Sequence, residues 1–107
     1  MTEQELQTGY RELEQGFMRP EITEQHAWVE LDTSDGLFYV PFVHGWTNLQ
    51  YYKDCVTGEV YSTQVIRKKH GARLSASGYL DCTDWTIHDT VKEAMEYLVE
   101  TYAAEYA

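Results

Sequence analysis

The spacing between apolar residues changes along the 107-residue chain, and no other feature constrains its fold as strongly. The first stripe, with intervals of three and four residues, consists of Leu6, Tyr10, Leu13 and Phe17. These intervals place the four side chains on one face of a helix. Thr2 and Glu5 have the spacing of a capping box, and Gly16 followed by Pro20 marks the end. The sequence therefore predicts an N-terminal helix that docks on the rest of the protein through this stripe.

From His26 onward the period is two, which predicts a strand with one buried face. The apolar set of this alternation is Ala27, Val29 and Leu31, and the outward set is Trp28, Glu30 and Asp32. Asp35 and Gly36 then predict a tight hairpin turn in which both residues have positive φ. The next strand, 37–43, contains Pro41, which has no N–H to donate, so we expect the strand to end there or to have a free edge.

The middle of the chain predicts a second hairpin. Its strands cover 47–54 and 59–67, around a turn at 55–58. The polar run 67–78 is predicted to be a loop or a frayed strand, and 79–85 a short strand.

A second capping box, Thr90 and Glu93, predicts a C-terminal helix that runs to about residue 104. Its apolar stripe is Val91, Met95, Leu98, Val99 and Tyr102. The sequence thus predicts a single α+β domain over 1–107, in which an antiparallel sheet of four to five strands is flanked by an N-terminal and a C-terminal helix.

The formal net charge is -10, from 18 acidic and 8 basic residues. A surface this acidic repels phosphate backbones and anionic lipids, which argues against direct binding to nucleic acid or to a membrane. The basic segment 67–73 carries +4, so the remainder of the chain carries -14. This segment, Arg67 to Arg73, either contacts a partner or is solvated, and the sequence leaves both readings open.

Residues that could perform catalysis or bind a metal do not fall into a recognised pattern. The four histidines and two cysteines lack the spacing of zinc ligands, and the glycines form no phosphate-binding motif. Asp81 and Asp84 flank Cys82, and a neighbouring carboxylate raises the pKa of a thiol, which argues against a nucleophilic cysteine. We therefore predict no catalytic residue, no metal and no cofactor, and a small enzyme is the less favoured alternative.

The sequence also bears on the cellular compartment. Cys55 and Cys82 are the two cysteines, and their separation leaves open whether they pair. The first ten residues are acidic and polar, unlike a secretory signal, and no apolar run is long enough to span a membrane. These features predict a cytoplasmic protein with reduced thiols.

Acidic and aromatic side chains form the candidate binding surface. Glu93, Glu96 and Glu100 fall within about 60° of one another on the C-terminal helix, and successive members are about 5 Å apart along its axis. That spacing approaches the density of charge along a nucleic-acid strand. Exposed aromatic side chains commonly anchor protein interfaces. The predicted partner-binding residues are Glu93, Glu96, Tyr97, Glu100, Trp28, Glu30 and Asp32.

These features favour a non-enzymatic protein that binds a basic partner, such as a nuclease or another nucleic-acid-handling protein, and inhibits it by occluding its binding surface. In general character the chain is similar to the small acidic DNA-mimic and anti-defence proteins of phages and plasmids. The alternative is a homo-oligomeric structural or accessory domain. In that case the apolar strand at 37–43 pairs with a second copy, and the acidity serves solubility.

Overall fold

The computed structural model describes residues 1–42, 59–76 and 82–106. Its elements are helix α1 (Glu3–Glu14), strands β1 (Met18–Thr33), β2 (Gly36–Pro41), β3 (Val60–Ala76) and β4 (Thr86–His88), and helix α2 (Val91–Tyr106). The strands form one antiparallel sheet in the order β2-β1-β3-β4. The predicted α+β architecture, with a helix at each end of the sequence, is therefore confirmed. The strand and turn predicted at 47–58 lie outside the described residues.

Strands β1 and β3 pair along nearly their whole length, from Met18 opposite Ala76 to Thr33 opposite Val60. The sequence analysis began the first strand only at His26 and assigned 67–78 to a loop or frayed strand, and both predictions are wrong. A period of two is present in the two missed stretches, at Met18, Pro20 and Ile22 and again at Ala72, Leu74 and Ala76. The basic residues between them do not prevent strand formation, because they form ion pairs with acidic residues.

The two helices pack against the same part of the sheet. The buried residues of this core are Leu6, Leu13, Met18, Ala72, Leu74, Ala76, Ala94, Leu98 and Val99. Burying such side chains contributes roughly 1.5–3 kcal/mol each for the larger ones. The helices also touch each other, since an added Cβ at Gly9 would lie 2.5 Å from Val99 Cγ1. This close approach explains why a glycine occupies the middle of α1.

Two members of the predicted helix stripes are not buried. The ring of Phe17 is 72% exposed, because α1 ends at Glu14 with Gln15 as its C-cap, before the chain reaches Phe17. Val91 is 46% exposed, because it is the first residue of α2 and the buried face starts at Ala94. The other predicted stripe residues are buried or partly buried.

The hairpin between β1 and β2 has its turn where the sequence predicts it. Thr33 pairs with Gly36, which has φ 118, but Asp35 does not adopt the predicted positive φ. The Thr33 hydroxyl instead closes the turn by accepting from Asp35 N–H at 3.2 Å and donating to Gly36 C=O at 2.7 Å. Strand β2 ends at Pro41 and lies at the edge of the sheet, as predicted.

The strand predicted at 79–85 is displaced along the chain. Of this range the structure describes 82–85, where Cys82 forms an isolated bridge with Ser75 and the regular strand begins only at Thr86. Thr83 holds this stretch against β3, because its hydroxyl accepts from Leu74 N–H at 2.8 Å and its own N–H donates to Leu74 C=O at 2.9 Å. The Thr83 hydroxyl therefore takes the place of a backbone acceptor that a regular strand would offer to Leu74 N–H of β3.

Candidate functional site

Both helices begin with the capping threonines that the sequence predicts. Thr2 Oγ1 accepts a hydrogen bond from Glu5 N–H at 3.1 Å, and Thr90 Oγ1 accepts one from Glu93 N–H at the same distance. The Glu93 carboxylate returns to accept from Asp89 N–H at 3.3 Å. Acidic residues in a first turn are also stabilised by the positive end of the helix dipole. Glu5 and Glu93 therefore have a structural role as well as a charge.

The three carboxylates predicted on α2 lie on the side of the helix opposite its most buried residue, Leu98. Glu93 and Glu100 are exposed, and Glu96 is partly buried. Because Glu93 is engaged in the cap, Glu96 and Glu100 are the members of the row that are free to meet another molecule.

Acidic residues of α1 extend this surface across the contact between the helices. Glu5 and Glu12 lie within about 60° of Gly9 around the axis of α1, and Glu96 lies within about 60° of Val99 around α2. Glu5 and Glu12 line a hollow on α1 together with Thr2, Gln4, Thr8 and Gly9. Beside Val99 on α2, the basic Lys92 lies within about 20° and Glu96 within about 60°. We use the name acidic helical layer for the carboxylates of the two helices, namely Glu3, Glu5, Glu12, Glu14, Glu93, Glu96 and Glu100.

Two of the four basic residues of 67–73, Lys69 and Arg73, form ion pairs with acids outside the helices. Arg73 Nε lies 3.0 Å from Glu21 Oε2, and Lys69 forms an ion pair with Asp89 that lowers the pKa of that carboxyl. Within the described residues, no ion pair involves a carboxylate of the acidic helical layer. The segment is thus a paired strand within the sheet, and its ion pairs do not involve the acidic helical layer.

Tyr97 is not the exposed anchor that the sequence predicts. Its ring is partly buried against the core, with its centroid 5.2 Å from that of His88 and 6.5 Å from that of Tyr102. Tyr97 lies beside the row of carboxylates, within about 60° of Glu93 and Glu100 around the axis of α2, but its ring packs against His88 of β4 instead of extending into solvent.

Trp28 was predicted on an outward face, and this prediction is wrong. Its side chain is fully buried, and its indole Nε1–H donates to Lys69 C=O at 2.9 Å. The ring meets Trp85 edge-to-face at a centroid distance of 5.2 Å, and the Arg73 guanidinium covers Trp85 at 4.1 Å. The alternation along β1 gives no sign of this, because the residues that cover Trp28 come from β3 and from the segment before β4.

Glu30 and Asp32, the other predicted strand residues, lie in a different part of the protein from the helices. Glu30 accepts a hydrogen bond from Tyr39 Oη–H at 3.0 Å, and burial together with this carboxylate raises the pKa of Tyr39. Asp32 is exposed near the hairpin turn. This half of the sheet has its own small core of Val29 and Leu31, so we do not include these acids in the acidic helical layer.

A small cleft of about 200 Å³ lies between β2 and the segment before β4. Its lining comprises Phe38, Tyr39, Val40, Arg73, Cys82, Thr83, Asp84 and Trp85. Cys82 is exposed and has a free thiol. Cys55, with which the sequence left a disulfide open, lies outside the described residues. The cleft shows no nucleophile with an adjacent base among its described residues, so its chemistry does not define a reaction.

The ring of His88 connects β4 to α2. Its Nε2 lies 2.7 Å from Thr86 Oγ1, and its cross-strand neighbour His70 is 3.4 Å from Glu24. Burial lowers the pKa of His88 below 6.5, although Glu93 and Asp89 act in the opposite direction. The unfolded chain therefore takes up this proton more readily than the folded protein.

Acidification is consequently expected to remove the stabilising contribution of His88. The contribution is complete above about pH 6.5 and declines as the pH falls through the folded-state pKa. In urea titrations between about pH 7.5 and pH 5, the free energy of unfolding should fall less steeply in His88→Gln than in the wild type. Equal slopes in the wild type and His88→Gln would contradict this assignment.

The fold and the site define a small α+β protein in which two helices of net negative charge cover one part of an antiparallel sheet. No model of a known protein family matches the chain, and neither a curated protein nor a solved structure matches it. Within the described residues, no group of three or more histidines, cysteines or acids is placed to hold a metal ion. No helix in the described part of the chain is long and apolar enough to cross a membrane.

Proposed function

We propose that the protein is a non-enzymatic inhibitor that places its acidic helical layer on the nucleic-acid-binding surface of a basic protein. The observation that carries this proposal is that α1 and α2 lie side by side, with exposed carboxylates on both and no ion pair to either among the described residues. Such a partner is a nuclease or another nucleic-acid-handling protein, of the kind that phage and plasmid anti-defence proteins occlude. We place this encounter in the cytoplasm.

The electrostatics of the layer favour a cationic partner. Like charges on adjacent helices repel one another, and a basic surface relieves that repulsion as it docks. Lysine and arginine side chains that bind phosphates meet carboxylates on the layer instead, and the resulting field accelerates association. A protein that competes in this way needs no catalytic group, which agrees with a site formed by carboxylates alone.

Displacement of duplex DNA from basic proteins tests the proposal. Linker histone and a panel of purified nucleases serve as probes, and the anisotropy of a labelled duplex reports its release at low salt. We expect Glu96→Gln/Glu100→Gln to raise the concentration needed for half-displacement about fivefold, because two exposed ion pairs are lost at roughly 0.5 kcal/mol each. The difference should shrink at about 0.5 M salt, where exposed charges are screened. Glu93 stays unchanged because it caps α2.

Asp32→Asn/Asp84→Asn is the matched control, since it removes the same charge from outside the helices. It should displace DNA as well as the wild type does. If the control and the helix variant are weakened equally, net charge rather than the layer is responsible. If the wild type displaces DNA from none of the probes at about 100 μM, well above the range of specific inhibitors, the proposed function is wrong.

A further inference from the structure

A cleft of about 200 Å³ separates the two outer parts of the sheet. Strands β2 and β4 are at opposite ends of the strand order, yet the curvature of the sheet brings them close together. The cleft lies beside this approach, between β2 and the segment 82–85, which precedes β4. The edge of the sheet is therefore open here, although another part of the chain lies opposite it.

The cleft runs along the outer edge of β2. Its lining includes three consecutive residues of this strand, Phe38, Tyr39 and Val40. Phe38 and Val40 pack on the core of Val29 and Leu31, so Tyr39 lies on the opposite face of the strand. Because consecutive side chains alternate between faces, the border that all three residues share is the edge of the strand.

The register of the β1–β2 hairpin directs the backbone of Tyr39 away from β1. Phe42 N–H donates to Ala27 C=O at 3.0 Å, and the pairing is regular from Trp28 to the turn. Hydrogen-bonded and non-hydrogen-bonded pairs alternate along such a ladder, so Tyr39 forms a non-hydrogen-bonded pair with Glu30. The N–H and C=O of Tyr39 therefore point out of the sheet, along the edge that borders the cleft.

Arg73 contributes hydrogen-bond donors to the cleft. Its neighbours in β3, Ala72 and Leu74, are buried beneath the helices, so its own side chain projects from the other face of the sheet. Glu21 accepts hydrogen bonds from Nε at 3.0 Å and from Nη2 at 3.4 Å, and the ring of Trp85 lies 4.1 Å from the guanidinium. These contacts hold the guanidinium in place, while Nη1 makes no hydrogen bond with the described residues.

Asp84 supplies an acceptor on the wall formed by 82–85. It is exposed, and within the described part of the chain its carboxylate forms no ion pair. Glu21 already balances the charge of Arg73, so Asp84 disfavours an anion in the cleft, while the guanidinium disfavours a cation. A peptide without charged residues offers carbonyl acceptors and uncharged donors, which match this combination.

The size of the cleft fits part of a peptide chain. Pockets that enclose a whole cofactor or drug-sized molecule have about 300–1,000 Å³, and this cleft is smaller. We propose that it binds an extended, uncharged segment of another protein, which adds as a short strand to the outer edge of β2. Tyr39 N–H and C=O pair with the main chain of the segment, Arg73 Nη1 donates to one of its carbonyls, and Asp84 accepts from a polar side chain. Main-chain pairing with an open sheet edge is a common mode of peptide recognition.

Selection from a phage-displayed library of linear dodecapeptides supplies the probe. The selection is carried out at about 0.5 M salt, where basic peptides gain little from the acidic helical layer. We expect the enriched peptides, once synthesised, to bind with a Kd of about 1–100 μM. In ¹⁵N NMR spectra, the amide signals of Tyr39 and Asp84 should shift on binding, and those of α1 and α2 should not.

N-methylation of the peptide tests strand addition without altering the protein. An added strand turns alternate N–H groups toward β2, so methylation at these positions should raise the Kd about tenfold. Methylation of the residue between two such positions should change the Kd less than threefold. A response that lacks this period of two would contradict strand addition.

Substitutions at Asp84 test the location. Asp84→Arg introduces a second cation into the cleft with Arg73 and should weaken binding about tenfold, whereas Asp84→Asn keeps an acceptor and should leave the Kd within about threefold. Asp32→Arg is the matched control, since it makes the same change of charge at an exposed position near the hairpin turn, and it should bind like the wild type.

Three further results would overturn the proposal. The first is that no peptide is enriched, and the second is that Asp84→Arg binds as tightly as the wild type. The third is that the signals of Tyr39 and Asp84 shift when the protein concentration alone is raised, which would assign the cleft to a second copy. None of these results concerns the acidic helical layer, because the helices cover the face of the sheet opposite Arg73.

Discussion

Replacing Trp28 by alanine is expected to lower the free energy of unfolding by about 3–5 kcal/mol. The indole has no exposed surface, and it contacts Trp85 edge-to-face and donates its N–H to Lys69 C=O. The substitution leaves a cavity between the strands and an unpaired buried carbonyl, and both effects are unfavourable. Urea denaturation followed by circular dichroism measures the change through the shift of the midpoint.

Leu37→Ala is the control for this experiment. Its side chain is also large and apolar, but it is 56% exposed, so its removal should change the free energy of unfolding by no more than about 0.5 kcal/mol. A cost below about 1 kcal/mol for Trp28→Ala would contradict the burial of the indole.

The two helices could be predicted because their signals are local. Thr2 with Glu5 and Thr90 with Glu93 mark the starts, and each helix then buries residues spaced by three and four. Capping and periodicity depend on residues within one or two turns, and so they can be read without knowing the rest of the fold. The positions of Glu96 and Glu100 on the outer side of α2 follow from the same periodicity.

The charged half of the sheet could not be recognised in the same way. Arg73 and Lys69 resemble loop residues until Glu21 and Asp89 are known to lie within reach, and those partners are distant in sequence. Trp28 was misassigned for a related reason, since strand alternation identifies two faces but does not show what covers each of them. Contacts with residues distant in sequence therefore determine both the strand at Lys69 and Arg73 and the burial of Trp28.

The pairing of α1 with α2 has a signal that the sequence analysis misread. Gly9 weakens a helix when only local preferences are considered, but here it permits the approach of Val99 and so lets the two helices touch. The contact places two helices of net negative charge side by side. The proposed basic partner would meet both helices together, so the packing of the helices and the proposed function are linked through Gly9.

Gly71→Ala is expected to lower the free energy of unfolding by about 2–3 kcal/mol, an effect of overpacking. A Cβ at this position would lie 2.2 Å from Trp28 Cη2 and 3.0 Å from Trp85 Cε3, so the buried indole must move. The backbone itself does not resist the change, because the positive φ values are found elsewhere in the described chain. Equilibrium urea unfolding of the single variant gives this cost directly.

A double-mutant cycle separates the clash from any other effect of Gly71→Ala. In the background of Trp28→Ala there is no ring to displace, so adding Gly71→Ala should cost less than about 0.5 kcal/mol, a coupling of about 2 kcal/mol. Additive costs would mean that the indole does not occupy the space above Gly71. A glycine inside a strand often marks the close approach of another group, and the cycle tests whether Trp28 is that group at Gly71.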